Sequence, residues 1–254
     1  MTRVLKVGGR VQNDPTLAPQ VAEAWDATSR SLVVVHGGGD EVSALQGAFG
    51  LTPEFVDGRR ITTPRDMDLV RMALSGTANK RLVAALVHEG VRAVGISGED
   101  ASLLAATPVS AAKLGHVGEV QRVNASLLWH LLDGGYLPVI SPVSRNVGLE
   151  LGPMLNVNAD DAAAAIAAAV AAEELLLVSD VPGVMRDGRV LSALTIDEAV
   201  ALLSDGTAAG GMMAKLQAAA AALAGGVPRV RVGDLAILTD ARRGTTITMT
   251  GEGT

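Results

Sequence analysis

The chain reads as an α/β protein, a mainly parallel β-sheet with helices packed on both faces. Two observations predict this. Short apolar runs alternate with longer stretches at helical spacing through most of the 254 residues. The glycine-rich turns, among them Gly8-Gly9, Gly37-Gly38-Gly39 and the turn reaching Gly183, each follow one of the apolar runs. In such sheets ligands bind outside the carboxyl ends of the strands, so these turns mark one functional edge.

The elements follow in order. Val4, Leu5 and Val7 form a buried strand that stops at Gly8-Gly9. Residues 16–29 carry helical spacing in Leu17, Val21, Ala24 and Trp25, residues 31–35 are a second strand ending in His36-Gly37-Gly38-Gly39, and residues 40–49 open a helix after those glycines. Asp57-Gly58 signals a tight hairpin turn within residues 54–62. Thr63 caps, and Pro64 starts, a long helical stretch over residues 64–89 that Gly76 interrupts. Residues 92–96 are a third strand, and the polar, glycine-dotted residues 97–123 are expected to form hairpins over the surface. A helix over residues 124–132 ends at Gly134-Gly135, and a strand over 137–140 is expected to close at Pro142. Then come an alanine-rich helix (158–172), a strand (175–178), helices at 195–204 and 212–223, and late strands at 229–232 and 245–249. A division near residues 171–173, where a second set of strands begins, splits the chain into residues 1–171 and 172–254.

Composition narrows the function classes. Hydrophobic content of 48% excludes a disordered chain, and 2% aromatic content leaves a core of Ala, Val, Leu and Ile. A net charge of -6 argues against non-specific nucleic-acid binding. With no cysteine there is no disulfide, thiolate metal site or cysteine nucleophile. No signal peptide precedes the first strand, and the apolar run at residues 162–172 is too short to span a bilayer, so a cytosolic protein without membrane contact is expected.

Lys6 stands inside a core strand, where desolvation normally excludes an ammonium. It makes sense if the strand ends at a cleft holding an anion, which Gly8 and Gly9 would let backbone N–H groups approach. Lysine is scarce here: four against seventeen arginines. Scarcity singles out Lys6 and Lys215 as compact point charges. Gly37-Gly38-Gly39 and Gly210-Gly211 each open a helix, a place that binds anions, and Lys215 near such an end is unfavourable without one. Asn158 fits an N-cap; Asn156 could donate to a ligand and Asp160 could orient lysines by charge. Arg59-Arg60 could clamp a carboxylate, while His36 fits a satisfied core histidine. There is no Walker A sequence, no third glycine of a dinucleotide fingerprint (Val42 stands there), no G-x-S-x-G and no metal-ligand spacing. Several anion-binding turns, two lysines and no general base fit phosphoryl transfer to a substrate that is already a carboxylate.

Seven stretches occur in a recognisable order: Lys6-Val7-Gly8-Gly9, His36-Gly37-Gly38-Gly39, Gly58-Arg59-Arg60-Ile61-Thr62, Gly76-Thr77-Ala78-Asn79-Lys80, Asn156-Val157-Asn158-Ala159-Asp160, Ser179-Asp180-Val181-Pro182-Gly183 and Gly210-Gly211-Met212-Met213-Ala214-Lys215. Over nearly its full length the chain resembles the acetylglutamate kinases of the amino-acid kinase family. The resemblance implies a three-layer αβα sandwich of the carbamate kinase-like fold, ATP as phosphoryl donor, Mg2+ held mainly by the ATP phosphates, and N-acetyl-L-glutamate as acceptor in arginine biosynthesis. By position, Lys6 and Lys215 would stabilise the transferring phosphoryl group and Asp160 would hold both. Gly8, Gly9, Gly38 and Gly39 would offer N–H groups to phosphates or substrate, Arg60 would pair with a substrate carboxylate, and Asn156 would bind the acetylamino-acid backbone. Ser179, Asp180, Val181, Pro182, Gly183 and Val184, with Thr207, Ala208, Ala209, Gly210 and Gly211, would line the nucleotide site. Residues 1–171 would carry the amino acid and 172–254 the ATP. A homodimer through the long helix near residues 64–89 is implied, and, since the chain starts at its first strand, one insensitive to arginine.

The tail Gly251-Glu252-Gly253-Thr254 is reminiscent of relatives that phosphorylate carrier-bound aminoadipate or glutamate in lysine biosynthesis, but Gly39 and Asn156 to Asp160 side with free acetylglutamate. Ala214 before the lysine is a variation. A non-catalytic nucleotide or amino-acid sensor on the same fold remains a rival, against which the joint presence of Lys6, Lys215 and Asp160 argues.

Overall fold

The computed structural model describes residues 2–56, 58–148, 152–204, 206, 208 and 210–250. The chain opens with β1 (Arg3–Val7), α1 (Leu17–Ala27), β2 (Leu32–His36) and α2 (Gly39–Ala48), then a small hairpin of β3 (Phe55–Val56) and β4 (Arg59–Arg60). One helical rod follows, made of α3 (Pro64–Arg71), π-helical turns at Met72–Ala78, and α4 (Asn79–His88). Its start is the cap that Thr63 and Pro64 announce, which Asp66 closes into a capping box: Thr63 accepts from the Asp66 N–H and the Asp66 carboxylate accepts from the Thr63 N–H. Next come β5 (Ala93–Gly98), β6 (Leu104–Pro108), α5 (Ala111–Leu114), β7 (Val117–Val123), α6 (Ala125–Asp133), β8 (Leu137–Asn146), β9 (Met154–Val157) and α7 (Ala159–Ala169). The last part holds β10 (Glu174–Val178), β11 (Met185–Arg186), β12 (Arg189–Val190), β13 (Ala193–Thr195), α8 (Ile196–Ser204), α9 (Gly210–Ala224), β14 (Arg229–Gly233) and β15 (Thr245–Thr248).

Among the described residues eleven strands form one sheet in the order β13-β15-β14-β10-β1-β2-β8-β6-β7-β9, with β5 also paired to β8. Most pairings are parallel; β14 with β15, β6 with β7 and β8 with β9 are antiparallel. Alternation in β1 splits the core. Val4 joins the layer under α7 and α9, while Leu5 and Val7 join the layer under α1 and α4. Helices therefore cover both faces, the three-layer αβα arrangement the sequence predicts. Each fully buried Val or Leu in these strands stabilises the fold by about 2 kcal/mol. The alanine-rich α7 lies close against α9 because small side chains allow it: a Cβ on Gly225 would sit 2.7 Å from the Ala168 Cβ.

β1 lies between β10 and β2, with Val7 opposite both Val178 and His36. The three turns after these strands consequently sit side by side at one edge. β10 lies beyond residue 171 and pairs along the whole of β1, so both halves of the chain share one sheet.

Three local expectations are corrected. The strand at 137–140 does not close at Pro142 but runs to Asn146. Pro142 falls where the pairing with β5 jumps from Ser97↔Ser141 to Gly98↔Ser144, so its missing N–H interrupts nothing. Residues 97–123 do form an antiparallel pair, β6 with β7, but not over the surface: Leu104, Ala105 and Ala106 are buried, and β6 also pairs in parallel with β8 in the main sheet. β9, β13 and the β11–β12 hairpin were not expected; each has at most four residues and borrows its order from longer partners.

Candidate active site

Lys6 alternates with Leu5 and Val7, so it faces α7 and α9 with Val4. There its Nζ lies 2.9 Å from Asp160 Oδ1, and Lys215 Nζ lies 3.7 Å from Asp160 Oδ2. Asp160 is set by the turn before it, since the Asn158 side chain caps α7 by accepting from the Asp160 N–H at 2.8 Å. All three charged groups are buried, at 5–7% exposure. Two ammoniums share one carboxylate, which leaves a surplus positive charge out of water. Burial pushes the Lys215 pKa down and the neighbouring Lys6 charge adds to this, while Asp160 and Asp180 oppose it. An anion beside the pair relieves that cost.

The glycine turns meet at the same place. A Cβ on Gly9 would lie 3.3 Å from Gly38 N and Cα and 3.4 Å from Gly39 N, so the two turns are in backbone contact. A Cβ on Gly38 would lie 2.6 Å from Leu74 Cδ2, so any larger residue there would have to displace that side chain. The N–H groups of Gly8 and Gly37 are spent on Val178 O and Val7 O, both at 3.0 Å. Gly8 therefore supplies shape instead of a free donor. The N–H groups of Gly9, Gly38 and Gly39 have no partner among the described residues.

Two cavities share Lys6, Gly9 and Gly39. The first, about 230 Å³, is lined on its far side by Arg59, Arg60, Asn156 and Asn158 and by the apolar Val42 and Leu74. Arg60 is buried and fixed by its neighbours. Its Nη2 donates to Gly39 O at 2.9 Å and Ser43 Oγ at 2.8 Å, its Nη1 donates to Gln46 Oε1, and the guanidinium lies 4.7 Å from the Phe55 ring centre. Gln46 in turn donates to Asp66 Oδ1 at 2.6 Å, which ties Arg60 to the cap of α3. Asn156 Nδ2 donates to Thr62 Oγ1 at 3.1 Å. Arg59 pairs with Asp161 at 3.0 Å, and burial raises the pKa of that carboxyl despite the arginine.

The second cavity, about 510 Å³, holds Lys6, Gly8, Gly9, Ser179, Asp180, Val181, Gly211 and Lys215. Arg10 spans it, 3.2 Å from both Asp40 and Asp180. Pro182, Gly183, Val184, Ala208 and Gly210 do not line either cavity. Val184 and Ala208 are core residues, and the Val184 N–H donates to Thr245 Oγ1. Thr207 and Ala209 lie outside the described residues. Sequence reasoning missed Arg10, Asp40 and the Gln46–Asp66 support of Arg60. Only Arg10, one residue past the first glycine pair, carried a positional signal.

The profile of the amino acid kinase family matches residues 1–234, and the chain belongs to that family. It is 47% identical over 239 residues to an acetylglutamate kinase of Chloroflexus aurantiacus, covering 93% of each chain. It superposes on the crystal structure of smu.665 from Streptococcus mutans with a TM-score of 0.88 at 29% identity, covering 98% of this chain and 99% of that one. At 17% identity it shares the fold of the carbamate kinase from Giardia lamblia bound to AMP-PNP, with a TM-score of 0.73 and 97% and 98% coverage. Among the described residues no helix is long and apolar enough to cross a membrane.

Proposed function

We propose that this chain is an acetylglutamate kinase, transferring the γ-phosphoryl group of ATP to the side-chain carboxylate of N-acetyl-L-glutamate. The observation that carries this is the buried Lys6–Asp160–Lys215 triad placed where two cavities meet. One cavity is sized and lined for a small dicarboxylate. The other opens between the turns after β1 and β10 and the start of α9, where a polyphosphate finds N–H groups and ammonium.

The chemistry needs little else. A carboxylate oxygen attacks the γ-phosphorus, the bond to the bridging oxygen of ADP breaks, and the acyl phosphate and ADP form with no proton to remove. Lys6 and Lys215 neutralise charge spreading over the transferring group, and the N–H groups of Gly9, Gly38 and Gly39 donate to its oxygens. Asp160 pairs with both lysines and holds them in place. Arg60 receives the α-carboxylate, and Asn156 donates to the acetylamino backbone. Mg2+ accompanies ATP as counter-ion to its phosphates. Among the described residues no group of three or more His, Asp or Glu side chains is placed to hold a metal ion. Residues 1–171 carry the amino-acid cavity, and the nucleotide cavity is shared between the turns after β1 and β2 and residues 172–254, in a homodimer.

Hydroxylamine trapping of acyl phosphate tests this, with ATP, Mg2+ and N-acetyl-L-glutamate beside N-acetyl-L-aminoadipate. Product from the glutamate derivative supports the assignment; product only from the longer acid, or none from folded protein, overturns it.

A further inference from the structure

The stretch Gly76-Thr77-Ala78-Asn79-Lys80 has no part in the chemistry above, yet it leads directly to the glycine turn. The Gly37 carbonyl accepts two hydrogen bonds, from His36 Nδ1 at 2.8 Å and Gln12 Nε2 at 2.7 Å. A trans peptide is planar, so its N–H points away from its C=O. Holding Gly37 O against His36 and Gln12 therefore directs the Gly38 N–H to the opposite side, where Gly9 approaches.

Donor and acceptor logic fixes the rest. Asn79 Nδ2 lies 3.0 Å from Val139 O and 3.1 Å from His36 Nε2, and Asn79 Oδ1 lies 3.1 Å from Lys80 Nζ. Turning the amide over would set its oxygen against the Val139 carbonyl and its NH2 against an ammonium. Only one orientation satisfies every group. Nδ2 therefore donates to His36 Nε2, and His36 carries its proton on Nδ1, the atom that donates to Gly37 O. Lys80 Nζ is held by Gly95 O at 2.8 Å, and its charge polarises the Asn79 amide.

We propose that Lys80, Asn79, His36 and Gln12 are positioning residues that lock the Gly37–Gly38 peptide with its N–H presented to the transferring phosphoryl group. This rests on the proposed kinase function. The groups act through one another and touch no substrate. Burial holds the His36 pKa at about 4, with Glu41 opposing this and Arg81 and Lys80 adding to it, so the ring stays neutral at working pH.

Nitrogen NMR of the imidazole rings, combined with single-turnover rates of acyl-phosphate formation, tests the proposal. In the wild type, His36 should show one neutral tautomer, protonated on Nδ1, unchanged between about pH 5.5 and 8. Gln12→Leu, at a half-buried position, should slow phosphoryl transfer roughly 10-fold and leave the KM for N-acetyl-L-glutamate within about twofold. Lys80→Met should give a smaller loss of the same kind. A His36 protonated on Nε2, or titrating near pH 6.5, overturns the hydrogen-bond chain whatever the activity. An unchanged single-turnover rate in folded Gln12→Leu overturns its role in catalysis. A silent wild type with the expected His36 spectrum overturns the kinase reading and, with it, the catalytic role of the relay.

Discussion

Asp160→Asn isolates the electrostatics of the site while keeping its shape. The carboxylate lies 2.9 Å from one buried ammonium and 3.7 Å from another. At an effective dielectric of about 20 these contacts correspond to gross attractions of roughly 6 and roughly 4.5 kcal/mol. Desolvation offsets much of that, and removing one member of a buried charge group typically costs about 3–5 kcal/mol. For a chain of this size the melting temperature should fall by about 10 °C. The pH dependence has a definite sign. Lys215 already has a lowered pKa, and losing Asp160 lowers it further. Between that folded value and the ordinary value of 10.5 the unfolded chain binds more protons, so stability rises with pH there, more steeply in the variant. Acyl-phosphate formation should drop by roughly 100-fold or more. Calorimetry across pH and the hydroxylamine assay read both effects. A melting temperature within about 2 °C of wild type, with an unchanged pH slope, would show that the lysines do not depend on Asp160.

Other expectations follow from the same geometry. Arg60→Lys loses the planar fork that Gly39, Ser43 and Gln46 hold, and should raise the KM for N-acetyl-L-glutamate by about 10- to 100-fold with kcat changed far less; initial-rate kinetics check it. Gly95→Ala would place a Cβ 2.0 Å from Asn79 Oδ1 and 2.9 Å from Lys80 Nζ, and should destabilise by about 3 kcal/mol in urea unfolding. Because His36 is held neutral with a pKa of about 4 against an ordinary 6.5, its contribution is complete above pH 6.5 and is lost as pH falls toward 4. That loss amounts to roughly 3 kcal/mol, and it should be absent from the acid limb of His36→Gln.

Lys6 was legible in the sequence because a lysine inside a short apolar strand violates burial rules unless a charge answers it, and Asp160 does. The N-caps at Thr63 and Asn158 were legible because both are local, settled within three residues; that Asp66 closes a capping box with Thr63 was seen only in the structure. The strand through Pro142 was not, because its tolerance depends on a register jump in another strand 45 residues earlier, at Ser97. Gly8 reads in sequence as a free donor; only the neighbouring β10 shows that Val178 takes its N–H. The support of Arg60 lies 14 residues away at Gln46 and ends at Asp66, and nothing in the spacing links the three. Val184 and Ala208 lie next to motif residues and yet pack into the core, since proximity in sequence does not fix which face of a turn lines a cavity.

The most direct test is the single-turnover rate of acyl-phosphate formation in Lys6→Ala, with ATP affinity measured in parallel. If the ammonium between the two cavities neutralises the transferring group, the rate falls by roughly 1,000-fold while ATP still binds within about 10-fold of wild type. A variant that forms acyl phosphate at near wild-type rate would place the chemistry elsewhere in the molecule.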